Sequence, residues 1–186
     1  MEIGAQCYTI RDFCQTLDGL AESLKKVADI GYRTVQLSGT CAFEPQWLAK
    51  RLRENGLRCV LTHTPAEEMT ADPVRVAADH DAFGCRYVGL GYYPFAGENP
   101  EKNYQRFLDT FLPTAETLKK NGKYLMYHNH AAEFQKINGK TILEKLGEDV
   151  PAALMGFTLD TFWVQAGGGD PAEWLARFRG RVPCIH

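Results

Sequence analysis

Residues 31–37 read GYRTVQL, and the same outline returns as GLRCVLT at 56–62, GCRYVGL at 84–90 and GKYLMYH at 122–128. In each case a glycine closes an amphipathic segment, and a β-branched or aromatic run of strand length follows. A helix that ends on a left-handed residue favours glycine there, because glycine takes positive φ without a Cβ clash. The recurring stretch is therefore the joint from helix to strand in a repeating β–α unit. Repeated joints of this kind predict a parallel sheet with helices outside it.

The segments around these joints are readable in the same way. Leu20, Leu24, Val27 and Ala28 form an apolar stripe ahead of Gly31, and a longer stripe from Tyr104 through Phe107 and Phe111 to Leu118 precedes Gly122. Asp72-Pro73 and Asp170-Pro171 are N-cap and first-turn pairs, and Pro45 opens a helix carrying Trp47, Leu48 and Leu52. Pro113 falls inside the long stripe, where a kink or break is expected. His80, between Asp79 and Asp81, reads as part of a solvated helix face. The expected strands are 3–9, 34–37, 59–63, 87–91, 124–130, 155–160 and 183–186.

An open doubly wound sheet usually carries G-x-G-x-x-G after its first strand, whereas here the first strand continues as QCYTIRD. A barrel is favoured. A (β/α)8 barrel needs eight strands and about 250 residues, and seven strands are counted in 186 residues. The expectation is one domain over residues 1–186, a (β/α)8 TIM barrel truncated at its C-terminus after strand seven.

Composition narrows the function. Hydrophobic residues make up 45 % and charged residues 24 %, with a net charge of −2. That balance speaks against electrostatic capture of nucleic acid or of an anionic membrane surface. The N-terminus lacks the basic and apolar regions of a signal peptide, and no apolar run approaches the roughly 20 residues of a membrane span. The six scattered cysteines include no C-x-x-C pair, and several lie in apolar runs as small hydrophobes. A reducing, cytoplasmic setting is expected.

In such barrels chemistry sits at the C-terminal ends of the strands. Those ends carry Gln6, Gln36 and Ser38, His63, Gly91, His128 and His130, Asp160, and His186. Side chains alternate along a strand, so His128 and His130 face one side, toward the mouth. A single strand-end histidine is usually structural, and an aspartate before a threonine often just caps a turn. Convergence is what raises them: His128/His130, Asp160 and His186 end three successive strands, and imidazole with carboxylate suits a divalent cation. Trp163 and Tyr92 follow strand ends and offer an apolar wall to a sugar. The AGGGD run at 166–170 reads as a flexible turn rather than a phosphate cradle, because Asp170 at the N-cap would repel an anion.

Five segments in order, IGAQCYTIRD (3–12), GYRTVQLSG (31–39), YHNHAAEF (127–134), GFTLDTFWVQAGGGDPAEWL (156–175) and VPCIH (182–186), resemble the sugar phosphate isomerase/epimerase family of the xylose isomerase-like TIM barrel superfamily. The resemblance implies a small-molecule sugar as partner, with a homo-oligomer left open. It also implies a divalent cation (Mn, Co, Mg, Zn or Fe) held at the ends of strands five to eight, commonly by Glu, Asp, His and Glu. Asp160 and His186 match the second and third of these. His128 stands where the first glutamate is usual, which leaves open whether His128 or His130 ligates. Glu133 is the nearest carboxylate for proton transfer, with His128 as its alternative, and Gln6, His63, His130 and Trp163 would meet the sugar. The implied chemistry is isomerisation or epimerisation by proton abstraction beside a carbonyl through a cation-stabilised ene-diolate. A lyase or dehydratase acting on keto-sugars or keto-glycosides shares that step. A DNA-repair endonuclease would need a richer histidine set and a basic groove, neither of which the sequence shows.

Overall fold

Each repeated glycine adopts the left-handed conformation the joint requires, with φ of +119° at Gly31, +62° at Gly56, +70° at Gly84 and +75° at Gly122. In a computed structural model, residues 2–95, 97 and 99–186 are described. The strands are β1 (Ala5–Gln6), β2 (Thr34–Leu37), β3 (Arg58–His63), β4 (Tyr87–Leu90), β5 (Tyr124–His128), β6 (Lys136–Ile137), β7 (Lys140–Thr141), β8 (Met155–Leu159) and β9 (Cys184–Ile185). The helices are α1 (Leu17–Ile30), α2 (Pro45–Glu54), α3 (Ala66–Ala71), α4 (Pro73–Ala82), α5 (Pro100–Lys120), α6 (Ile142–Asp149), α7 (Thr161–Ala166) and α8 (Pro171–Arg177). Seven strands form one sheet in the order β1-β2-β3-β4-β5-β8-β9, and β6 with β7 makes a small hairpin. Every neighbouring pair in the large sheet is parallel, which gives a half-barrel with helices.

Two apolar clusters hold the helices on. One joins α1 and α2 to β2 and β3 through Leu20, Leu24, Leu48, Leu52 and the buried thiols Cys7, Cys14, Cys59 and Cys85. The other is aromatic, with Phe95, Tyr104, Phe107, Phe111, Tyr127 and Phe157 gathered between α5 and the sheet. All six cysteines are free thiols. No helix among the described residues is long and apolar enough to cross a membrane.

Three expectations are corrected here. The first strand does not run over 3–9: it is two residues long, and Cys7–Phe13 coils into 3-10 turns. The Thr9 hydroxyl donates to Gln6 O at 2.7 Å and Arg11 to Tyr8 O at 2.9 Å, local bonds that compete with the ladder. Helix α5 runs through Pro113 unbroken. An interior proline costs about 3 kcal/mol, but each buried aromatic or leucine of this helix contributes about 1.5–3 kcal/mol, and Tyr104, Phe107, Phe111 and Leu118 are all buried. Pro113 and Asp109, whose carbonyl loses its donor, both lie on the exposed face.

His80 is not on a solvated face; it is 4 % exposed. Its Nε2 lies 2.8 Å from Thr62 Oγ1 and its Nδ1 2.7 Å from Val76 O. Val76, Ala77 and His80 form the inward stripe of α4, which the flanking aspartates masked in the sequence. The glycine run is a packing device as well as a turn: a Cβ at Gly167 would stand 2.3 Å from the Phe134 ring, and one at Gly169 2.6 Å from it.

Candidate functional site

The parallel sheet brings the C-terminal strand ends to one mouth, where a cavity of about 630 Å³ opens. Its wall includes Gln6, His63, His128, His130, Asp160 and Trp163. The rings of His63 and His128 lie 5.1 Å apart and those of His128 and His186 4.9 Å apart. His130 meets His128 edge-on at 4.7 Å and Trp163 at 5.4 Å. Glycine makes room for this cluster, since a Cβ on Gly91 would stand 2.7 Å from His63 Nδ1.

His128 is the last residue of β5, and its Nδ1 lies 3.1 Å from the Gly91 carbonyl oxygen, which can only accept. The proton of a neutral His128 ring is therefore on Nδ1, and Nε2 turns a lone pair on Asp160 Oδ2 at 3.3 Å. Two acceptors at that distance need a positive charge between them, either a proton on the ring or a cation.

Asp160 is the N-cap of α7, and its Oδ1 accepts from Trp163 N at 3.0 Å, which leaves Oδ2 for the mouth. Burial works to raise this carboxyl, but the bonds from His128 and the Trp163 N–H outweigh it and hold the carboxyl below its usual range. Asn129, fully buried, clamps the Asp160 backbone from both sides. It accepts from Asp160 N at 2.8 Å and donates to Asp160 O at 3.2 Å. Polar and wedged between two histidines in an otherwise apolar run, Asn129 was the available signal for this clamp.

His186 follows β9. Its N donates to Leu159 O at 3.0 Å, and its O accepts from Thr161 N at 2.8 Å. The ring presents Nδ1 to Asp160 Oδ2 at 3.8 Å and Nε2 to Gln36 Oε1 at 2.6 Å. Burial, then the neighbouring imidazoles, pushes His63 down to about 3. Burial likewise lowers His130 and His186 to about 4. At neutral pH these three rings are uncharged and carry one N–H each.

One possible ligand atom from each of His128, Asp160 and His186 lies within 4.8 Å of the other two. Donors about 2.1 Å from a common ion, at angles near 90–110°, stand about 3.0–3.4 Å apart. The observed 3.3 and 3.8 Å therefore fit a divalent cation after a small inward movement. Among the described residues this is the group of histidine and carboxylate that could hold an ion.

Glu133 lies behind this wall and is fully buried. Tyr127 donates to its Oε1, and His130 N donates to Oε2 at 2.8 Å. Burial pushes the carboxyl up, against the lowering effect of these bonds. Glu133 thus closes the turn that carries His130. The Nδ1 atom of His130 is buried, with no hydrogen-bond partner among the described residues.

The chain matches no protein-family model and no curated protein. Among solved structures it is similar to a sugar phosphate isomerase/epimerase from Parabacteroides distasonis, at TM-score 0.85 and 22% identity, over 100% of this chain and 74% of that one. An AP endonuclease of family 2 from Brucella melitensis matches at TM-score 0.75 and 16% identity, over 100% and 78%. A D-psicose 3-epimerase solved with D-fructose matches at TM-score 0.73 and 13% identity, over 100% and 72%. Xylose isomerase domain proteins are also among the neighbours. At these identities the likeness establishes a shared fold.

Proposed function

We propose that this chain is a divalent-cation-dependent sugar or keto-sugar isomerase or epimerase, built as a (β/α)8-type barrel through strand seven. One observation carries the reading: the acceptor atoms of His128, Asp160 and His186 converge on one point of a barrel mouth, and the partners of the two rings leave lone pairs there. These residues would hold the cation, whose chemistry is to polarise a carbonyl and so acidify the neighbouring C–H. Gln6 and His130 offer polar contacts to sugar hydroxyls, and the His63 ring forms part of the wall beside them. Trp163 and Tyr92 flank His130 and supply an apolar face.

The proton needs a base on the cavity wall. Both nitrogens of His63 are engaged, by Gln36 and Ser38, and His128 is turned toward Asp160. His130 is a neutral imidazole on the cavity wall whose Nε2 has no hydrogen-bond partner among the described residues, and we assign proton abstraction to that atom. Glu133 holds the turn that aims it.

The test is to load the protein with Mn²⁺ or Co²⁺ and incubate it in D₂O with a panel of ketoses and aldoses, following carbon-bound deuterium by NMR. Incorporation beside the carbonyl, lost when the cation is chelated, supports the reading. Release of water or of an aglycone would instead identify a lyase or dehydratase. Cation binding without turnover of any kind would reduce the site to a sugar-binding module.

A further inference from the structure

Gln36 lies mid-strand in β2, is 6 % exposed, and belongs to neither the cation trio nor the cavity wall. Its carboxamide spans the mouth. Nε2 lies 2.9 Å from His63 Nε2, and Oε1 lies 2.6 Å from Nε2 of His186, 150 residues away. Strands β2 and β9 are five places apart in hydrogen-bond order, so this side chain is a strut across the opening.

A carboxamide has one end that only donates and one that only accepts. With Nε2 facing His63, that ring must accept at Nε2, carry its proton on Nδ1 and donate to Ser38 Oγ at 3.0 Å. With Oε1 facing His186, that ring must carry its proton on Nε2, and Nδ1 is left as a lone pair. The reverse amide orientation would place the His186 proton on Nδ1, facing Asp160 Oδ2 at 3.8 Å, too far for a hydrogen bond. The observed orientation leaves no such unmet donor and turns a lone pair of His186 toward Asp160 Oδ2, an arrangement that a cation would satisfy.

We infer that Gln36 is a positioning residue that sets the imidazole tautomers of the mouth, locking the His186 proton on Nε2 so that Nδ1 is free to ligate while holding His63 as a donor toward Ser38. The inference rests on the cation reading for its purpose, but the tautomers themselves exist without any ion. Gln36 then acts as the outer partner that orients a ligand, a role whose loss typically lowers metal affinity about 10–100-fold.

The experiment is long-range ¹H–¹⁵N NMR of the histidine rings in the cation-free chain at pH 8, with Zn²⁺ affinity measured by competition against a chelating dye. Wild type should show His186 protonated at Nε2 and His63 at Nδ1. Gln36→Met removes both ends; the His186 proton should redistribute onto Nδ1, and Zn²⁺ affinity should fall about 10–100-fold. Gln36→Glu keeps an acceptor at His186 and replaces the donor at His63. It should restore the His186 tautomer and most of the affinity, and reverse His63 to Nε2–H.

Opposite tautomers in wild type would overturn the inference, as would a Met variant with unchanged tautomers and affinity, or a Glu variant no better than Met. A wild type that binds no Zn²⁺ but shows the stated tautomers would defeat the cation reading and leave the Gln36 assignment standing.

Discussion

Asp160 divides its work between two oxygens, one capping α7 and one facing the imidazoles. An asparagine can keep the cap and lose the charge. Asp160→Asn should therefore leave the melting temperature within a few degrees while Zn²⁺ affinity falls by more than the roughly 10–100-fold cost of an outer partner. His186→Ala should do the same, and unchanged cation content in both variants would remove the site. Glu133 makes the complementary case. In Glu133→Gln the carboxamide can keep one of the two bonds to Tyr127 and His130 but loses the charged acceptor. We expect turnover to fall about 10-fold or more with cation content unchanged, the split that separates an aiming role from a ligating one. Wild-type turnover in this variant would show that the turn does not depend on the carboxylate.

At the scale of elements, β2 to β5 were legible because each is announced by a glycine that must take positive φ, a local and stringent demand. The first strand was misread because its β-like run carries Thr9 and Arg11, whose bonds back to the chain are invisible to a periodicity argument. His80 was misread for the opposite reason, since aspartates on either side hid an inward stripe. Its burial has a measurable cost in acid. Desolvation lowers the ring from 6.5 to about 4, so the unfolded chain takes up the proton first. His80 thus contributes stability that is complete above about pH 6.5 and is lost as pH falls toward 4, on the order of 3 kcal/mol. His80→Leu should be less stable at pH 7.5 by about 1–3 kcal/mol, because Val76 O loses its partner. It should also show a shallower decline between pH 6.5 and 4.5. Urea titrations at both pH values check this, and parallel acid limbs for variant and wild type would show that the ring does not titrate as described.

Across the whole molecule, what the sequence could not display is distance. The strand-end residues were readable one at a time, and the succession of strands grouped His128/His130, Asp160 and His186. No spacing rule connects Gln36 to His186, or Asn129 to the backbone of Asp160, because those pairings exist only once the sheet has curved. The same curvature leaves the site unevenly supported. His128 stands on a strand flanked on both sides, whereas His186 follows a two-residue strand that, among the described residues, pairs with β8 alone. Short edge segments open and close far more often than the body of a domain. The trio is then two posts and one gate, and the dissociation constant that an experimenter reads is the intrinsic one divided by the fraction of time the gate is shut. Amide exchange should be faster at residues 184–186 than in β5 and should slow there when Zn²⁺ is added, while the β5 amides stay as they were. Equal protection of the two strands before the ion arrives would mean that the gate is already latched, and that the strut from Gln36 is what latches it.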